Sequence, residues 1–165
     1  MAIYKYKRDL VLNYAELWAK KRNSFYYDFS FLGGDCTNFA SQCLFAGAPF
    51  MNYTQDLGWY YKSVSNRAPA WTGVEFFYNF LIGNFKGISD KSGPFAKDVN
   101  LSELEIGDFI QLGDANSNYY HTPVVVGFDG TVPLLAAHSK DVFGVRLDYY
   151  NYSKLRCIKV LGARG

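Results

Sequence analysis

Eleven residues, Gly33-Gly34-Asp35-Cys36-Thr37-Asn38-Phe39-Ala40-Ser41-Gln42-Cys43, read as a glycine turn feeding a helix with a cysteine in its first turn. A thiol attacks as the thiolate, and unpaired backbone N–H groups together with the helix dipole favour negative charge at that position. The same N–H groups, that of Cys36 included, suit the oxyanion of a tetrahedral intermediate. Cys36 is therefore the candidate nucleophile, set against the alternative of a buried structural thiol, which is the reading given to Cys43 and Cys157. A nucleophile of this kind needs a base, and the chain has only two histidines, His121 and His138, each at an end of a strand-like run. The Asp129-Gly130 pair between those runs is a hairpin signal, and a turn centred on it sets His121 opposite His138. His121 then serves as general base for Cys36 while His138 orients the imidazole, with Asp141 as the rival for that orienting role. The alternative is a pair of surface or capping histidines.

Zinc is the competing chemistry, because Cys36, His121 and His138 are all possible ligands. The chain has no CxxC and no HExxH, and Gly34-Asp35-Cys36 lacks the Gly-Lys-Ser/Thr of a phosphate loop, so neither metal nor cofactor is expected. Trp59, Tyr60 and Tyr61 are candidates to line a substrate groove, where flat rings stack on sugar or peptide, and core packing is an equal alternative. Tyr26 and Tyr27, upstream of the glycine turn, are a weaker form of the same case.

The elements that must position these residues fit one domain, 1–165. A chain of this length buries roughly 70% of its unfolded surface. Apolar residues make up 49% and charged residues 19%, which excludes disorder, and the 14 Tyr and 14 Phe suggest an aromatic-rich groove or core. The net charge of +2 is scattered, with no run longer than Lys20-Lys21-Arg22, so nucleic acid is not an expected partner. No apolar run reaches the roughly 18 residues of a membrane span, and the N-terminal residues lack the apolar core of an export signal. Oligomeric state is not readable. Cys36 and Cys43 stand about 10 Å apart along one helix, too far for a disulfide.

Leu10, Tyr14, Leu17, Trp18 and Lys21 predict an amphipathic helix from about Lys7 to Arg22. A second is predicted from Asp35, as N-cap accepting from the Asn38 backbone N–H, to Gly47, with Phe39, Ala40, Cys43 and Leu44 buried. A third starts at a Thr72/Glu75 capping box and ends at Gly83. Residues between Pro49 and Pro69 read as irregular, and Asn84 to Asn100 as a long loop. Five β-like runs follow: Asp108–Leu112, Thr122–Phe128, Val132–Ala137, Val142–Leu147 and Leu155–Leu161. Pro123 places its strand at an edge or just beginning there. Helices first and antiparallel strands second make the expected class α+β.

Taken in order, the Gly33–Cys43 segment, Gly58-Trp59-Tyr60-Tyr61, Gly107-Asp108, the His121-led strand, and His138 with Asp141 resemble the family of the putative amidase domain, in the NlpC/P60-like branch of papain-fold cysteine hydrolases. The resemblance spans nearly the whole chain. It implies a papain-like core, a cysteine-bearing helix packed on an antiparallel sheet that supplies the histidine. It also implies hydrolysis of amide bonds in bacterial peptidoglycan, as an N-acetylmuramoyl-L-alanine amidase or an endopeptidase, in an extracellular or cell-wall setting. Cys36 is then the nucleophile, His121 the base, and His138 or Asp141 the third polar residue, with Asp35, Tyr27 and Trp59 as further orienting or groove candidates. A non-catalytic wall- or protein-binding module and a cysteine acyltransferase are the other functional classes these residues allow.

Overall fold

The structure, a computed structural model, describes residues 1–83 and 88–165. The helical half contains β1 (Ile3–Tyr4), α1 (Arg8–Trp18), α2 (Cys36–Gly47), β2 (Tyr61–Ser63), β3 (Asn66–Arg67), α3 (Pro69–Thr72) and α4 (Val74–Ile82). The sheet half contains β4 (Gly93–Val99), β5 (Phe109–Gly113), β6 (Tyr119–His121), β7 (Val124–Asp129), β8 (Val132–Ala137), β9 (Val142–Arg146) and β10 (Lys154–Arg164). Single 3-10 turns lie at Leu101–Glu103 and Leu147–Tyr149. Helices thus precede an antiparallel sheet of order β1-β10-β5-β7-β8-β9, with β4 on the other side of β10 and β6 alongside β5.

Alternation along the strands divides the core between two faces. Phe109, Val124, Ala136 and Ile158 face the helices, where they join Phe29, Phe39, Trp59, Trp71 and Phe77. Their neighbours Ile110, Val125, Leu135 and Cys157 point the other way and pack with Leu104, Leu112 and Leu147. Truncating Phe109, fully buried with its ring 5.3 Å from that of Phe77, would cost about 3–5 kcal/mol.

α1 packs on α2 and β7 through a face one position from the predicted one. Val11, Ala15 and Ala19 are fully buried, Leu10 and Leu17 are exposed, and the helix ends at Trp18 rather than near Arg22. Close approach selects the small side chains: a β-carbon on Gly47 of α2 would sit 2.5 Å from Val11 Cγ2. α2 is buried on nearly all sides, because α1, α3 and β8 enclose it. The predicted capping box is absent. Gly73 precedes α4, and the Thr72 hydroxyl belongs to α3 and accepts from Arg67 Nε at 3.1 Å. Gly83, at φ 75°, ends α4 as expected.

Three β expectations need correction, the first because Tyr61–Ser63 and Asn66–Arg67, within the stretch read as irregular, pair as β2 and β3. Residues 93–99, predicted as loop, form β4, because the long edge of β10 pairs with them from Cys157 to Arg164; residues 84–87 of that predicted loop lie outside the described residues. The hairpin turn falls at Gly130-Thr131, with Asp129 paired to Val132, and a register shift between Val125 and Gly127 follows. The run breaks at Thr122-Pro123, so β6 pairs with β5, Leu112 opposite His121, and not with β8. His121 and His138 are therefore not cross-strand partners.

Candidate active site

Gly33 and Gly34 have φ values of 85° and 101°, and a β-carbon on either would meet nothing within 4 Å. Backbone conformation, not space, demands glycine there. The turn delivers Asp35, whose N–H donates to Ser139 Oγ at 3.1 Å, and then Cys36 as the first residue of α2. Asp35 does not cap the helix with its side chain. Its Oδ1 accepts from the Phe29 backbone N–H at 2.8 Å and from the Asn38 side-chain amide at 2.9 Å, while Oδ2 faces His138 Nδ1 at 2.6 Å and Arg22 Nε at 3.5 Å. The expected bond from the Asn38 backbone is thus replaced by one from its side chain. The Asp35 carboxylate is thus drawn away from the first-turn N–H groups of α2 and caps none of them.

Cys36 is partly accessible. Its S–H points to the Tyr120 carbonyl at 3.9 Å, and Sγ lies 3.8 Å from Thr37 Oγ1. The Thr37 hydroxyl is 3.2 Å from that of Thr122, which in turn accepts from Gln111 Nε2 at 3.1 Å. Contacts to both chain neighbours of His121 therefore lock the Cys36 turn to the end of β6. Burial pushes the Cys36 thiol up, outweighing the Thr37 hydroxyl and the Thr122 and Thr37 backbone, which favour the thiolate. The helix start alone therefore does not give the depressed thiol expected from its position, because desolvation is the larger effect.

His121 is half-buried, and its ring lies 5.2 Å from that of Tyr150. Burial lowers its pKa to about 4, so it is neutral at pH 7 and able to accept a proton. Neither of its ring nitrogens has a hydrogen-bond partner among the described residues.

The other predicted orienting groups belong to a separate cluster. His138 is 1% exposed, stacks on Phe39 at 4.0 Å, and places Nδ1 on Asp35 and Nε2, donating, 2.9 Å from the Trp18 carbonyl. Both nitrogens are occupied, so His138 is not available to orient His121. Asp141 accepts from Arg22 at 2.8 and 3.1 Å and is likewise engaged elsewhere. Trp59 is fully buried, with Nε1 donating to Ser41 Oγ at 3.0 Å and its ring 4.7 Å from Trp71; it is a core residue and cannot line a groove. Tyr60 and Tyr61 are buried as well, Tyr61 Oη accepting from the Tyr27 N–H at 2.9 Å. Tyr27 is 46% exposed, and its carbonyl accepts from Asn38 Nδ2 at 3.0 Å, which holds it beside the start of α2.

Sequence reasoning missed Tyr150. Its hydroxyl is buried without a hydrogen-bond partner among the described residues, while its ring packs against His121. One tyrosine among 14 carries no local signal for such a position. Among the described residues no group of three His, Cys, Asp or Glu side chains is placed to hold a metal ion, and no helix is long and apolar enough to cross a membrane.

The uncharacterized protein YhbB of Bacillus subtilis (strain 168) is 31% identical over 152 residues, which cover 90% of this chain and 45% of that protein. The chain thus spans less than half the length of this curated relative. No solved structure matches. The model of a family described as "Putative amidase domain" matches residues 5–161, and the chain belongs to that family, one named for the hydrolysis of amide bonds.

Proposed function

We propose that the protein is a cysteine hydrolase of the papain-like NlpC/P60 type that cleaves amide bonds in bacterial cell-wall peptidoglycan. The observation that carries the chemistry is the contact of the Cys36 turn with both neighbours of His121, the Tyr120 carbonyl and the Thr122 hydroxyl. A partly accessible thiol at a helix start and a neutral imidazole with no partner among the described residues are thereby held on adjoining elements. The wall substrate rests on the resemblance of the ordered motifs to that branch of hydrolases, and an extracellular or cell-wall setting follows from the substrate.

In the resting protein the thiol is raised and the imidazole lowered, so both are neutral. His121 takes the thiol proton as Sγ bonds to the amide carbon, and the carbonyl π pair moves onto oxygen. The N–H groups at the start of α2 hold that oxyanion. Collapse breaks the C–N bond, and His121 returns its proton to the leaving amine. Water then adds to the thioester with His121 as base, the C–S bond breaks, and the thiolate recovers the proton. Asp35 and His138 act as positioning residues that fix the turn carrying Cys36, and Tyr27 flanks the substrate path.

The test is digestion of purified peptidoglycan by the protein and its Cys36→Ala variant, with soluble products identified by mass spectrometry. Cys36-dependent fragments are expected, and their new ends name the bond. Equal release by both proteins, or none from a folded wild type, would refute the proposal.

A further inference from the structure

We propose that Tyr150 is a catalytic residue, its hydroxyl donating to the carbonyl oxygen as it becomes an oxyanion beside the start of α2. This rests on Cys36 being an acylating nucleophile. Three other tyrosines withdrawn from solvent are bonded: Tyr6 Oη donates to the Gly107 carbonyl at 2.8 Å, Tyr14 Oη to Gln42 Oε1 at 2.5 Å, and Tyr61 Oη accepts from Tyr27. Tyr150 Oη is withdrawn from solvent and bonds to nothing among the described residues. A buried donor left without a protein partner is rare, and on a ring packed against His121 it suggests a partner that arrives with the substrate.

The surroundings fix its placement. The Tyr150 N–H donates to the Leu147 carbonyl at 3.2 Å, closing the 3-10 turn, and Tyr120 Oη donates to the Asn151 carbonyl at 3.0 Å, tying this segment to β6. The ring then lies over His121, whose neighbour Tyr120 receives the Cys36 S–H. Burial, with Tyr149 and the Cys36 sulfur as smaller causes, pushes the phenol up to about 12. It therefore remains a donor throughout the neutral range. A neutral thiol–imidazole pair carries no charge until attack begins. A donor that finds its acceptor only when the carbonyl oxygen becomes an anion favours the transition state over the bound substrate.

The reaction of Cys36 with two probes separates this role from others. p-Nitrophenyl acetate acylates the thiol through a tetrahedral oxyanion with loss of p-nitrophenolate, whereas iodoacetamide alkylates it by displacement of iodide with no oxyanion. Tyr150→Phe keeps the ring on His121 and removes only the hydroxyl. Acylation by the variant is expected to fall by about 10²-fold or more, with alkylation within about twofold of wild type. Unchanged acylation, or an equal fall in both rates, would overturn the role, the second because Tyr150 would then act on the thiol itself. Wild-type protein that is alkylated at Cys36 but shows no Cys36-dependent acylation would refute the hydrolase reading, and the Tyr150 role with it.

Discussion

Around His138 both ring nitrogens are used, one facing the Asp35 carboxylate at 2.6 Å and the other donating to the Trp18 carbonyl, and Phe39 stacks on the ring. Around His121 the opposite holds: the ring is half-buried against Tyr150, its nitrogens have no partner among the described residues, and burial alone lowers its pKa to about 4. The Tyr150 hydroxyl likewise has no partner among the described residues. The first histidine has spent its hydrogen-bonding capacity on structure, and through Asp35 it holds the turn before Cys36. The second has that capacity unspent among the described residues. Two residues of one type, both sequence candidates for the same site, are thus divided by what their nitrogens touch.

The sharpest break of this contrast comes at the nucleophile. Cys36→Ala is expected to lower amide hydrolysis by about 10⁴-fold or more with the melting temperature held, since Cys36 is partly accessible and makes only weak sulfur contacts. His121→Ala is expected to cost about 10²–10⁴-fold in turnover, read with the same substrate, while urea unfolding shows stability retained. His138→Ala should reverse that pattern. Removing one member of a buried, hydrogen-bonded pair lowers unfolding free energy by about 3–5 kcal/mol, measurable by urea titration. At the small end, Asp141→Asn loosens only the partly exposed pair with Arg22 and should change stability by at most about 1 kcal/mol.

The pH response sharpens the same comparison. As the proposed base, His121 must be neutral to accept the thiol proton, so the acid limb of activity is expected near pH 4 and not near the ordinary imidazole value of about 6.5. For stability the sign follows from protons bound. Between about 6.5 and 4 the unfolded chain binds a proton at His121 that the folded chain does not. The contribution is full above the unfolded value and is lost as pH falls through that window; His121→Gln should flatten the slope in pH-dependent unfolding. Because burial raises the Cys36 thiol, iodoacetamide alkylation should climb only above the ordinary thiol range. A rate already maximal near pH 5 would mean a preformed thiolate–imidazolium pair.

What the sequence made legible was local. Gly33-Gly34-Asp35-Cys36 announced a turn and a helix start, and α2 begins at Cys36. Val132–Ala137 and the β-rich second half were also read correctly, because alternation and turn residues act over a few positions. What failed depended on distant partners. β4 exists because β10 extends far enough to pair with it. The His121–His138 pairing failed on a turn one residue late, a register shift at Val126 and the break at Pro123, each of which re-aims side chains. The true partner of His138 was in plain view as Asp35, yet nothing local joins residues 103 positions apart. Trp59 could have lain in groove or core, and only packing against Trp71 and Phe80 decides it.

The most direct test is the turnover of a Cys36-dependent amide substrate released from peptidoglycan, compared between His121→Ala and wild type under conditions where both are shown folded by their melting curves. Loss of turnover by about 10²-fold or more with an unchanged melting transition is expected. Wild-type turnover in the His121 variant would contradict its role as the base and, with it, the assignment of this site.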